Sequence, residues 1–75
     1  MRLVLVEWWD AVGPADMDAG ERLPPLLAKT VGYVYEDAED YITIAAEMFE
    51  ADETFRACTT IPRCSITAIH QLRGG

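Results

Sequence analysis

The chain has 75 residues, a formal net charge of −7 and a hydrophobic fraction of 51%. A chain of this length forms one small domain with a marginal core, so we expect a single domain over residues 1–75 whose surplus apolar surface is covered in a homo-oligomer. The acidic balance disfavours direct nucleic-acid binding, because that binding depends on cations that neutralise phosphates. The sequence shows neither a membrane-spanning run nor a signal peptide, and we therefore expect a soluble, cytoplasmic protein without membrane contact.

The first predicted strand runs from Arg2 to Trp9, and both of its faces are largely apolar. Trp8 and Trp9 are adjacent, so in an extended strand their side chains point to opposite sides and only one can fill the core. The other is expected either to pack under the following loop or to bind a ligand or partner, a position where tryptophan is enriched. Asp10, at the end of the strand, is predicted to cap a turn and secondarily to contact a ligand.

Residues 10–29 are predicted to form a long loop, because they contain several Gly, Pro and acidic residues. A connection of about twenty residues is longer than ordinary loops, so it is expected to be either functional or poorly ordered. Its last part, Pro25 to Lys29, is predicted to form one helical turn, because proline suits the first helical position.

A β-hairpin is predicted from Thr30 to Met48, because apolar and aromatic residues alternate on both sides of an acidic turn. On its second strand Ile42, Ile44 and Met48 are predicted to face the core. The opposite side of that strand is more polar and is predicted to face solvent or a partner; it comprises Tyr41, Thr43 and Ala45. The turn is short and charged, and it consists of Glu36, Asp37, Ala38, Glu39 and Asp40.

The remaining residues are predicted to form two further strands. Residues 49–53 read as a second acidic turn, and Thr54 to Ile61 alternate as a strand that Pro62 ends. In the tail, Ile66, Ile69 and Leu72 are three residues apart, which favours a 3₁₀ turn leading into a short last strand. Residues 74–75 are expected to fray.

One strand, a long loop, a three-stranded meander, a proline-marked turn and a closing strand predict an all-β, five-stranded SH3-like or Sm-like barrel. The segments VEWWDAVG, TVGYVYED, YITIAAEM and IPRCSITAIHQL resemble a recurrent group of small phage-encoded proteins of this type. In that group a first strand ends in a tryptophan and an acid, a Gly-aromatic strand follows, and an Ile-Pro-basic turn closes the chain. The resemblance implies a phage origin and this fold, and it transfers no catalytic residue.

Catalytic and metal-binding patterns are weak in this sequence. Cys58 and Cys64 are expected to be reduced, and with His70 they offer too few ligands for a structural zinc site. Pairing either thiol with His70 as nucleophile and base lacks an identifiable orienting group. The acidic turn offers no evident pocket that would raise a carboxyl pKa, and Gly13 and Gly20 fit no phosphate-binding loop. We therefore expect a protein that is not an enzyme and needs no cofactor.

Binding hypotheses rest on the few cations and on the acidic turn. Arg56 and Arg63 could bind an anionic ligand through their forked donors, or could pair with neighbouring carboxylates. The first hypothesis is a non-enzymatic phage accessory protein that sequesters a small anionic host molecule at a subunit interface, through Trp8 or Trp9 with Arg56 and Arg63. The second is an acidic decoy that mimics nucleic acid and inhibits a host nucleic-acid-binding protein by occupying its basic groove with the hairpin turn. A third is a structural or assembly subunit. The turn residues of the second hypothesis are Glu36, Asp37, Glu39 and Asp40.

Overall fold

The structure is a computed structural model and describes residues 2–10 and 26–73. These residues form one sheet of five antiparallel strands in the order β4-β3-β2-β1-β5. A 3₁₀ helix, Arg63–Ser65, connects β4 to β5. The predicted all-β class and the order of its elements are confirmed. The strands are β1 (Leu3–Asp10), β2 (Leu26–Asp37), β3 (Tyr41–Phe49), β4 (Thr54–Pro62) and β5 (Ile66–Arg73).

The start of β2 corrects the sequence prediction for residues 26–29. These residues belong to the strand and form neither a loop nor a helical turn: Leu26 pairs with Asp10, and Lys29 pairs with Glu7. The prolines before them suggested a helix start, but the ladder with β1 supplies a hydrogen-bonding partner that local sequence does not reveal. The rest of the predicted loop, residues 11–25, and the predicted frayed tail, residues 74–75, lie outside the described residues.

The core lies on one face of the sheet. Its fully buried side chains come from three strands and are Val4, Val6, Ile42, Ile44 and Ile61. Trp8, Val34, Ile66 and Ile69 are partly buried and pack against this cluster. The predicted core positions Ile42 and Ile44 are therefore confirmed, while Met48 is only half-buried. Burial of β-branched side chains from neighbouring strands is the main favourable term for a sheet of this size.

The opposite face of β3 is buried where the sequence predicted exposure. Thr43 and Ala45 are both buried, which corrects the prediction that this face meets solvent or a partner. Ala45 lies in register between Tyr33 and Cys58, and Thr43 shares a 2.9 Å hydrogen bond between its hydroxyl and that of Thr60. These short side chains lie on an inner strand, where the cross-strand neighbours Tyr33 and Cys58 flank Ala45 and Glu36 and Thr60 flank Thr43.

The predicted 3₁₀ turn leading into a last strand is confirmed, but the spacing that suggested the turn lies within the strand itself. Residues 66–73 form an eight-residue strand, and the 3₁₀ helix precedes it at Arg63–Ser65. The spacing of three between Ile66 and Ile69 has another cause, which is a bulge: Trp8 pairs with Ile66, whereas the preceding Glu7 pairs with Ala68. One extra residue on β5 returns Ile69 to the core side of the sheet.

The sheet is strongly coiled. Pro62 ends β4 beside the start of β3, whereas Ile66 begins β5 by pairing with Trp8 near the end of β1. Because β1 and β3 run in the same direction, a flat sheet would separate these two positions by about 30 Å along the strands. The connection between them spans at most about 14 Å. The sheet therefore curls toward a barrel, although β4 and β5 are not paired within residues 2–10 and 26–73 and the sheet is not closed.

The structure describes no helix that is long and apolar enough to cross a membrane.

Candidate functional site

The two adjacent tryptophans have different environments, as their alternation predicts. Trp8 packs against the core, and its indole Nε1 donates a hydrogen bond to Thr30 Oγ1 at 3.0 Å. Trp9 lies on the opposite side of β1 and is 48% exposed. Because the polar atom of Trp8 is already bonded within the chain, Trp9 is the tryptophan that the fold leaves available for binding.

Coiling of the sheet brings Arg63 to the end of β1 that carries Trp9 and Asp10. The 3₁₀ helix that begins with Arg63 contacts β1, and the residue after this helix pairs with Trp8. Asp10 is the last residue of β1 and pairs in register with Leu26. The backbone of the 3₁₀ helix that begins with Arg63 thus lies beside the end of β1 that carries an exposed aromatic ring and a carboxylate. The guanidinium of Arg63 is directed toward Asp37, which also binds Arg2 at the start of β1.

Arg63 also attaches the 3₁₀ helix to the β2–β3 turn. Its Nη2 donates to Asp37 Oδ1, its Nε donates to the carbonyl oxygen of Ala38 at 2.9 Å, and its backbone N–H donates to the carbonyl oxygen of Asp40 at 3.0 Å. Asp37 in addition accepts from Arg2 Nη1 at 3.1 Å. The carboxylate of Asp37 therefore pairs with two guanidinium groups. Asp37 belongs to the acidic turn of the decoy hypothesis and Arg63 to the binding site of the ligand hypothesis, so the two hypotheses share this ion pair.

Arg56 lies elsewhere. It pairs with Glu47 across the β3–β4 hairpin at 3.6 Å, and its guanidinium stands 5.1 Å from the centre of the Phe49 ring. Pro62 lies six positions further along β4, which corresponds to about 20 Å along the strand. Within one chain, the structure does not bring Arg56 together with Arg63 and Trp9.

The acidic turn is partly neutralised from within the chain. Tyr41 donates its hydroxyl hydrogen to Glu36 Oε1 at 2.9 Å, and this bond raises the pKa of Tyr41, helped by desolvation and by nearby negative charge. Asp37 is paired as described above. Glu39 and Asp40 are exposed, and their carboxylates have no ion-pair partner among the residues that the structure describes.

Sequence reasoning missed a charged cluster at the centre of β1. The carboxylate of Glu7 accepts from His70 Nε2 at 2.8 Å and lies 3.7 Å from Lys29 Nζ. The hydrogen bond from His70, with a further contribution from Lys29, holds the pKa of Glu7 below its ordinary value despite an opposing effect of desolvation. The alternation of residues 27, 29, 31 and 33 is the signal that could have revealed this cluster. It extends β2 toward the N-terminus, so that Lys29 lies on a strand that can pair with β1 and reach Glu7.

This cluster lies in a surface that we call the outer face, the side of β1 and β2 that is turned away from the core. Trp9, Leu27 and Val31 on this face are each about half exposed. The outer face consists of four cross-strand pairs: Leu3 with Tyr33, Leu5 with Val31, Glu7 with Lys29, and Trp9 with Leu27. Its pattern along the strands is thus two apolar pairs, one ion pair and one apolar pair.

Within residues 2–10 and 26–73 there is no pocket and no group of three or more metal-ligating side chains. Cys58 and Cys64 are exposed and are not bonded to each other. His70 lies on β5 beside Glu7, and neither thiol is among its hydrogen-bond partners.

No protein-family model matches the chain, and no curated protein or solved structure matches it either.

Proposed function

We propose that this protein is a non-enzymatic binding module of phage origin that self-associates in the cytoplasm of the host and sequesters a small anionic host molecule. The observation that carries the proposal is that the 3₁₀ helix beginning with Arg63 contacts β1, the strand whose end carries half-exposed Trp9. An aromatic ring can stack on a planar group of a ligand, and a guanidinium can bind its phosphate or carboxylate. The resemblance to small phage-encoded barrel proteins supports the origin.

Arg63 retains donors for such a ligand. A guanidinium has five N–H groups, and the contacts to Asp37 and Ala38 engage only Nε and Nη2. The side chain is about one-third exposed, so its remaining N–H groups can reach solvent. The contact with Asp37 holds the guanidinium in a fixed orientation, which lowers the entropy lost when an anion binds.

Native mass spectrometry of the purified full chain tests this proposal, because it reports stoichiometry and any retained small molecule together. With AMP as the probe for a planar anion, Trp9→Ala should abolish binding. Phe49→Ala is the matched control, because Phe49 is a similarly exposed aromatic residue at the far hairpin. A strictly monomeric wild-type chain that retains nothing and binds no AMP contradicts sequestration at an interface.

A second candidate, the acidic decoy for a basic host protein, is favoured by exposed Glu39 and Asp40. A substitution of Asp37 is not an informative test of the decoy, because it would also remove the ion pair that holds Arg63. The pair Glu39→Gln with Asp40→Asn is therefore the informative variant. Glu50→Gln with Glu53→Gln is a control of equal charge change at the other turn. Loss of binding to an immobilised polylysine column in the first variant alone supports the decoy, and equal retention of both variants contradicts it.

A structural or assembly subunit is the third candidate. It should tolerate replacement of Arg56 and Arg63 as well as the neutral turn, but not loss of its apolar interface.

A further inference from the structure

We infer that the outer face of β1 and β2 docks a second copy of this chain, with β1 of each copy lying on β2 of the other. This inference rests on the self-association in the proposed function and specifies the surface that mediates it. Trp9 and Leu27 form the end pair of that surface, so a ligand stacked on Trp9 occupies the edge of the interface. The inference starts from the concentration of exposed apolar side chains: three of the exposed large hydrophobic residues, Trp9, Leu27 and Val31, lie on this one face. Apolar side chains concentrated on one face of a small domain, here on both sides of a single ion pair, indicate an interaction surface.

The charges of the chain favour this face over the rest of the surface. The net charge of −7 opposes the approach of another copy. Among the described cations, Arg2 and Arg63 are paired with Asp37, and Arg56 is paired with Glu47. On the outer face the single carboxylate of Glu7 is matched by Lys29, so this face carries no net charge of its own. A second copy can therefore approach here without the repulsion that the acidic turns produce.

The register of the two strands makes the face complementary to itself. A two-fold axis that runs parallel to the strands, midway between β1 and β2, exchanges the members of each cross-strand pair between the two copies. Glu7 then faces Lys29 of the other copy, and each apolar residue faces an apolar one. A two-fold axis perpendicular to the strands would instead place Glu7 on its own equivalent, which like-charge repulsion disfavours. The first arrangement is an isologous interface of the kind found in most homodimers.

His70 lies at the border of this interface. It belongs to β5, next to β1 and away from β2, and it donates to the oxygen of Glu7 that does not contact Lys29. Two further ionisable residues on this side are Arg73 and Tyr33, which pair in register with Leu3 from β5 and from β2. His70 therefore orients the carboxylate of Glu7 and leaves the second oxygen for a lysine.

Reversal of the two central charges tests this arrangement. Glu7→Lys alone places two ammonium groups opposite each other at the centre of the interface, and Lys29→Glu alone places two carboxylates there. Each single variant should raise the dimer dissociation constant about 10-fold to 100-fold, because like charges then face each other across the interface. An equimolar mixture of the two variants should form a heterodimer, because every facing pair is then of opposite charge. The pairing within each chain is not restored by mixing, so recovery reports contact between chains only.

Glu47→Lys and Arg56→Glu are matched controls, because they reverse a cross-strand ion pair on the β3–β4 hairpin with the same changes of net charge. Sedimentation velocity of all proteins and of both mixtures gives the readout, and circular dichroism confirms that each variant is folded. A wild-type chain that remains monomeric at high concentration overturns both this inference and self-association. A wild-type oligomer that Glu7→Lys and Lys29→Glu leave intact overturns this face alone. If both single variants are monomeric and their equimolar mixture forms no heterodimer, the β1-on-β2 arrangement is overturned.

Discussion

Gly32 is the position at which the absence of a side chain matters most. It lies buried on β2, where a Cβ atom would overlap Ile44 Cγ2 and would lie 2.5 Å from the carbonyl oxygen of Ala45. The Ala45 oxygen belongs to the backbone of β3 and cannot move without displacing that strand. The close approach of β2 and β3 therefore requires glycine at this position.

We expect Gly32→Ala to lower the free energy of unfolding by about 1–3 kcal/mol, the usual range for overpacking a closely packed site. Urea denaturation followed by circular dichroism measures the change. An unchanged midpoint would show that β3 can move away from β2 at this point, contrary to the packing described.

Ala57 adopts a backbone conformation that favours glycine. Its φ is 56° in the middle of β4, and it lies between the paired residues Arg56 and Cys58. A left-handed conformation costs an alanine about 1–2 kcal/mol, because its Cβ approaches the following carbonyl oxygen. Ala57→Gly removes this cost and adds a smaller entropy cost in the unfolded chain.

The expected result is a rise in unfolding free energy of about 0.5–1 kcal/mol for Ala57→Gly, measured by urea denaturation. Ala46→Gly is the control, because Ala46 lies on the facing strand of the same hairpin and its φ is not positive. This control should instead be destabilised by about 0.5–1 kcal/mol, the usual cost of glycine within a strand. Equal effects of the two changes would contradict a strained Ala57.

At the scale of elements, Arg63 fixes the junction between β4 and β5. Its contacts to Asp37, Ala38 and Asp40 connect the 3₁₀ helix to the β2–β3 turn, and they hold the coiled sheet at the point where the chain changes direction. Because the guanidinium is partly buried and makes several bonds at once, it contributes more than an ordinary surface ion pair.

We expect Arg63→Ala to lower the unfolding free energy by about 1–2 kcal/mol, because carbonyl and carboxylate acceptors lose a charged donor. Arg56→Ala is the control with a more exposed side chain, and it should change stability by less than about 0.5 kcal/mol. Thermal or urea unfolding of both variants provides the comparison. A larger loss in Arg56→Ala would reverse the ranking and remove the special role of Arg63.

The contact between Glu7 and His70 links β1 to β5 and makes stability depend on pH. Because the pKa of Glu7 in the folded protein lies below its ordinary value of 4.5, folding favours the ionised carboxylate. The stabilisation is present above pH 4.5 and is lost as the pH falls through the lower folded value. The unfolding free energies of the wild type and Glu7→Gln should therefore converge in acid.

Urea denaturation between pH 3 and pH 7, at a concentration where the chain is monomeric, measures this convergence. His70→Gln removes the largest cause of the lowered pKa, so in that background the effect of Glu7→Gln on stability should depend less on pH. A difference between the wild type and Glu7→Gln that grows toward acid would contradict the direction assigned to the pKa of Glu7.

The elements that sequence reasoning predicted correctly are those with a strong local period. Alternation placed the hairpin around the acidic turn and assigned Trp8 and Trp9 to opposite faces of β1. The errors occur where distant pairing overrides local signals. The ladder with β1 makes residues 26–29 a strand, and a bulge in β5 produces the spacing of three, whereas the 3₁₀ turn lies just before that strand.

The site was less predictable for the same reason. Arg63 and Asp37 are 26 residues apart in sequence, and His70 and Glu7 are 63 residues apart. Their contacts depend on how far the sheet coils and on which strands become neighbours, and neither property is encoded in a short window. Residue type alone suggested an arginine–carboxylate pairing, but it could not identify which carboxylate would be involved.

At the scale of the whole molecule, Trp9 should report assembly, because the proposed interface covers it while Trp8 stays in the core. In a Trp8→Phe variant, Trp9 is the remaining tryptophan. Trp8→Phe removes the hydrogen bond to Thr30, which costs about 1 kcal/mol, so its fold is first verified by circular dichroism.

As the concentration of this variant rises, Trp9 emission should shift to the blue and acrylamide quenching should fall, since the indole leaves water. Adding Lys29→Glu to the same variant should move both changes to about 10-fold to 100-fold higher concentration, because dimerisation then brings like charges together. If the emission wavelength and quenching of Trp9 depend on concentration equally in Trp8→Phe and in Trp8→Phe with Lys29→Glu, association does not use the outer face.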